Sequence, residues 1–106
     1  MAKRKIMFDK TEIVAATVFK DDLGKEIPKI LNLSYDQFSK ISFLPCEERK
    51  LFKTVPSEKI VLKLKKYADP IEYTMMKNKE FYQEYKDGFC KFAADNRIDL
   101  VDETSN

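Results

Sequence analysis

Carboxylates come in close groups along this chain: Asp21 with Asp22, Glu47 with Glu48, and Asp99 near Asp102 and Glu103. Paired acids suit general acid–base catalysis and metal-assisted hydrolysis, because one group can hold a proton or cation while its neighbour accepts. Two of these groups fall at predicted turns and the third in a polar, acidic C-terminal tail, where carboxylates are ordinarily solvated. The chain contains no histidine. Ser/His and Cys/His nucleophile pairs, imidazole metal ligands and the usual base at neutral pH are therefore excluded. Cys46 and Cys90 stand far apart without a CxxC motif, so they outline neither a zinc site nor a redox pair. No P-loop, GxGxxG, GxSxG or SxxK pattern occurs, and two glycines are too few to line a phosphate-cradling loop. The expectation is a non-enzymatic chain with no catalytic, cofactor-binding or metal-ligating residues.

Cations are the next candidates. Lys3, Arg4 and Lys5 form a terminal triad, and Lys63, Lys65 and Lys66 extend a strip that begins near Lys59. Such groups can contact phosphates or anionic lipid. A solvated tail and the protection of a solvent-facing strand explain them equally. Twenty Lys and Arg against eighteen Asp and Glu leave a formal charge of +2, too balanced for a dedicated polyanion binder. Nucleic acid is disfavoured, since no base-stacking aromatic pattern accompanies the lysines. A membrane reading rests on the lysines alone. Tyr73, Met75, Met76 and Tyr82, with Tyr67 and Tyr85 nearby, are types enriched in interface cores. They are either core and rim of the fold or a surface for a protein partner or weak homo-oligomerisation.

Whatever these side chains do, 106 residues must position them, enough for one domain, residues 1–106, with a core expected over about residues 11–98. At 43% apolar and 12% aromatic the chain can build that core, and 36% charged residues give it a charged surface. After the basic start only Ile6, Met7 and Phe8 precede Asp9, short of a secretory apolar segment. The run Ile13 to Phe19 is short of a membrane helix. Together these imply a soluble, cytoplasmic protein whose two thiols are free and buried.

Turn residues divide the chain into pieces of strand length. Asp21-Asp22-Leu23-Gly24-Lys25, Leu44-Pro45-Cys46, Val55-Pro56-Ser57 and Ala68-Asp69-Pro70 are the punctuation. Between Lys59 and Lys66, Ile60, Leu62 and Leu64 alternate with Lys63 and Lys65, which predicts a half-solvated antiparallel strand. Pro70 to Met76 is its expected hairpin partner, with Glu72 opposite Lys63 or Lys65. Ser39 to Leu44 and Lys50 to Val55 read as a second pair around a Pro45 turn. Ile13 to Phe19 favours a strand through its β-branched and aromatic residues, with a helix over Asp9 to Lys20 as the alternative because Asp9–Glu12 has the form of a capping box and two alanines follow. Ile27 to Leu33 would return as its hairpin partner. The period then changes: Phe81, Tyr85, Phe89 and Phe92 recur at helical spacing, which predicts an amphipathic helix with Asn78 as its N-cap. Gly88 lies on the apolar flank of that helix and suits close approach to a sheet.

The segment Leu33-Ser34-Tyr35-Asp36-Gln37-Phe38-Ser39-Lys40-Ile41-Ser42-Phe43 resembles the strand, tight bend and strand of bacterial pleckstrin-homology-like and GRAM-like domains. Tyr35, Phe38 and Ile41 occupy its bend positions. The stretch EFYQEYKDGFCKFAADNRI is similar to the helix that closes one end of such a barrel. The resemblance implies an α+β fold: a strongly bent antiparallel sheet or partly open barrel of six or seven strands, closed by one C-terminal helix. It further implies a non-enzymatic binding or scaffold module, with an anionic-surface binder of lipid headgroup or nucleic acid as the alternative. The first hairpin, Lys20 to Glu26, matches acids to bases and lacks the family's phosphoinositide pattern.

Overall fold

Two-residue alternation sets most of this fold, and it runs on through residues that ordinarily mark turns. The computed structural model describes residues 4–104. Strands β1 (Ile6–Phe8), β2 (Glu12–Lys20) and β3 (Glu26–Ser34) form an antiparallel sheet in that order. Strands β4 (Phe38–Lys50), β5 (Lys53–Leu64), β6 (Ile71–Thr74) and β7 (Leu100–Asp102) form a second, in the order β6-β5-β4-β7. Its pairs are antiparallel except that β7 runs parallel to β4. One helix, α1 (Tyr82–Asn96), precedes β7. The protein is α+β with two sheets and a C-terminal helix, and the sheets do not close into a barrel.

The core lies where the three layers meet. Ile6, Ile13, Ala15 and Leu33 face it from the first sheet, and Ile41, Phe43, Ile60 and Leu62 from the second. Tyr82, Tyr85, Phe89, Phe92 and Ala93 bury one face of α1 against them. The expected apolar face of the helix is therefore the buried one. Phe92 meets Phe38 edge-on with ring centroids 5.5 Å apart. The alternation of Ile60, Leu62 and Leu64 also holds, all three being buried.

Residues 12–20 are strand, the reading their β-branched run favours, paired with β3 from Glu12 opposite Ser34 to Lys20 opposite Glu26. Several other boundaries differ from expectation. Pro45 makes no turn. It sits within β4 opposite Glu58, and the chain reverses at Leu51–Phe52 instead. Ile41 and Phe43 turn their backbone groups toward the β7 side, so by alternation Pro45 does too, beyond the last β7 pair. Its missing N–H costs no ladder bond there. Glu72 pairs with Lys59 at 2.9 Å rather than with Lys63 or Lys65, because β6 meets β5 with Glu72 opposite Val61. Asn78 does not cap α1. It ends a single 3₁₀ turn, Met76–Asn78, and its side-chain amide donates to the Thr74 carbonyl at 2.7 Å. The core begins at Ile6, ahead of the expected boundary, and the acidic C-terminal segment supplies β7. Cys46 is half-buried and Cys90 exposed, both thiols free, because Cys90 falls outside the apolar face of α1. Among the described residues, no helix is long and apolar enough to cross a membrane.

Candidate functional site: the seam between the sheets

β1 covers only the first half of the β2 edge. The Ala16 amide donates to the Lys5 carbonyl at 2.7 Å. By the period of the strand, the amides of Val18 and Lys20 point to the same side, and no strand among the described residues pairs with them there. Across the gap stands β6, an edge of the second sheet. Where a closed barrel would carry a backbone ladder, a side chain spans the seam: the Tyr73 hydroxyl donates to the Ala16 carbonyl at 3.1 Å. Tyr73 is buried, and burial together with neighbouring Tyr85 pushes its hydroxyl well above the usual tyrosine range, so it stays a neutral donor.

The seam opens into a cleft of about 890 Å³. Lys5, Lys20, Lys29 and Lys77 line it, with Val18 and Ile30 as apolar contacts. Two acids, Glu26 and Glu72, also reach it, and Glu72 is held by Lys59. The cleft is therefore cationic with an apolar flank. No cysteine lines it. Lysines beside an apolar flank are groups that can attract an anionic, extended ligand.

The opposite edge of the first sheet is blunted. Val18 faces Pro28 on β3, and since Val18 turns its backbone away from β3, the Pro28 nitrogen lies on the outer edge. A proline there removes one donor from any added strand.

One member of each carboxylate group is occupied structurally. Asp21 accepts from the Leu23 amide at 2.9 Å and the Lys25 amide at 2.8 Å, which shapes the β2–β3 turn. Glu48 accepts from the Ser57 hydroxyl and from the Met76 amide, the latter at 3.1 Å. Burial raises its carboxyl, but these hydrogen bonds outweigh that and hold it below the usual glutamate range. Asp102 accepts from the Thr104 amide at 2.9 Å. No cluster among the described residues could hold a metal ion.

The residues singled out from the sequence do not gather into one site. Tyr73 and Tyr82 are buried, Met75 is exposed and Met76 half-buried, so the four share no open surface. Burial, then the Glu58 carboxylate, pushes the Tyr82 hydroxyl up. Lys3 lies outside the described residues. Arg4 pairs with Glu84 and lies over the Phe81 ring, 4.9 Å from its centroid. The Lys5 amide donates to the Tyr85 hydroxyl at 2.6 Å. Both basic residues therefore sit by the first turns of α1. Lys63, Lys65 and Lys66 are exposed at the far end of β5, where the Lys65 amide donates to the Gln37 carbonyl at 2.9 Å. Of these residues Lys5 and Tyr73 belong to the cleft; the companion lysines Lys20, Lys29 and Lys77 are scattered along the chain and carry no local motif. Comparisons with protein-family models, with curated proteins and with solved structures return no match, so the pleckstrin-homology-like resemblance keeps the weight of its own residues.

Proposed function

We propose that this chain is a non-enzymatic binding module whose inter-sheet seam receives an extended acidic segment of a partner protein. The observation that carries this reading is the uncovered half of β2 facing β6 across a lysine-lined cleft. A strand laid there would pair with the Val18 and Lys20 amides, and alternate side chains would meet lysines and the Val18–Ile30 flank. Two sheets followed by one C-terminal helix is an outline shared with the pleckstrin-homology-like binding frames that the sequence resembles. The lack of histidine and the structural employment of Asp21, Glu48 and Asp102 support a binding role over a catalytic one.

The test is titration with a fluorescein-labelled peptide of alternating glutamate and valine, followed by anisotropy and by amide hydrogen exchange. Saturable binding should slow exchange at Val18 and Lys20, and Lys20→Glu with Lys77→Glu should weaken it about tenfold or more. Binding that ignores the charge reversal, or no binding, would reject the seam as the site.

A further inference from the structure

The longest hairpin of the protein ends on two apolar side chains in open solvent. Beyond Phe43 on β4 and Lys59 on β5, each strand pairs only with the other, so the distal hairpin projects past both β7 and β6. At its tip Leu51 is 85% exposed and Phe52 is 96% exposed. The two ladder ranks behind the tip, Lys50 opposite Lys53 and Arg49 opposite Thr54, carry three cations. Acids appear only in the next ranks. There Glu48 is turned back to the Ser57 hydroxyl and the Met76 amide, while Glu47 stays exposed.

The turn residue itself is costly to the fold. Leu51 has φ 54°, the left-handed region where hairpin turns place glycine, asparagine or aspartate. A γ-branched apolar residue there stabilises neither the turn nor the core, and strain of this kind is characteristic of contact sites.

From these observations we infer that the β4–β5 tip is an insertion device for an anionic bilayer, with Leu51 and Phe52 entering below the headgroups and Arg49, Lys50 and Lys53 resting on them. Two ladder ranks span about 7 Å, and interfacial apolar groups reach about 5–10 Å into a bilayer. The cations then stand at headgroup level when the tip is submerged. A convex tip of two side chains cannot bury much of itself against a second copy, whereas a deformable apolar phase surrounds it fully. The inference is independent of the seam, and the two sites can fail separately.

The experiment is co-sedimentation with vesicles of phosphatidylcholine and phosphatidylserine in equal parts, against phosphatidylcholine alone. Binding is expected to the mixed vesicles and to fall as salt rises, since charges more than about 8–10 Å apart are screened near physiological ionic strength. The chain has no tryptophan, so Phe52→Trp supplies a single reporter whose emission should shift to the blue on insertion. Leu51→Gly relieves the left-handed position and should melt at the same temperature as wild type or higher, while vesicle binding drops about tenfold or more. Lys50→Glu with Lys53→Glu should remove the preference for phosphatidylserine. Equal sedimentation with both vesicle types, no sedimentation with either, or binding unchanged in Leu51→Gly would each overturn the inference.

Discussion

The Cα of Gly88 on α1 faces the Phe8 ring of β1 so closely that a methyl group there would lie 2.4 Å from Phe8 Cε2. Phe8 in turn meets Phe89 edge-on with ring centroids 4.9 Å apart. The short first strand is thus docked on the helix through a contact that only glycine permits. Alanine would favour the helix by about 1 kcal/mol, but overpacking costs typically about 1–3 kcal/mol. Gly88→Ala should therefore destabilise the protein in urea denaturation. The cost should shrink when Phe8→Ala is present as well, and a full, undiminished cost in the double variant would show that the Phe8 ring is not what the methyl group meets.

Phe89 and Phe92 are buried at the centre of the core, Phe92 against Phe38. Truncating either to alanine should cost about 3–5 kcal/mol. Small domains hold only about 5–15 kcal/mol in total, so either variant should lose a large share of its stability and melt well below wild type. Circular dichroism melts check this, and a wild-type melt for either variant would contradict the packing of α1.

Glu48 ties the projecting hairpin to the turn after β6. Burial works against its charge, yet the Ser57 and Met76 hydrogen bonds prevail and its carboxyl lies below the ordinary glutamate range in the folded state. A carboxyl with a depressed folded pKa stabilises the protein above its unfolded pKa, about 4.3 for glutamate. That contribution fades as pH falls through the folded value. Glu48→Gln should therefore lower the melting temperature at neutral pH and flatten its decline below about pH 4.3. Parallel acid profiles for the two proteins would show that Glu48 titrates alike in both states.

Sequence pattern by itself determined the elements whose signal is local. The apolar period of residues 81–92 marks the buried face of α1, the alternation at Ile60, Leu62 and Leu64 marks β5, and Asp21 with Gly24 marks the first hairpin. Each depends only on neighbours within a turn or a pleat. Tertiary structure decided the rest, because there the deciding partner is distant in sequence. Whether Pro45 breaks a strand depends on whether another strand needs its N–H, and β7 stops at Asp102, opposite Phe43. Whether Tyr73 and Tyr82 form a surface or a core depends on where α1 lands. β1 and β7, three residues each, carry too short a pattern to announce themselves, yet the place where β1 ends is what leaves the β2 edge open. The lysines of the cleft come from β2, β3 and the turns beside β1 and β6, and Leu51 with Phe52 reads as ordinary strand until the hairpin's true reversal point exposes it. Side-chain chemistry is written residue by residue, but a site is a set of distances, and those were set by which strand edges remained unpaired.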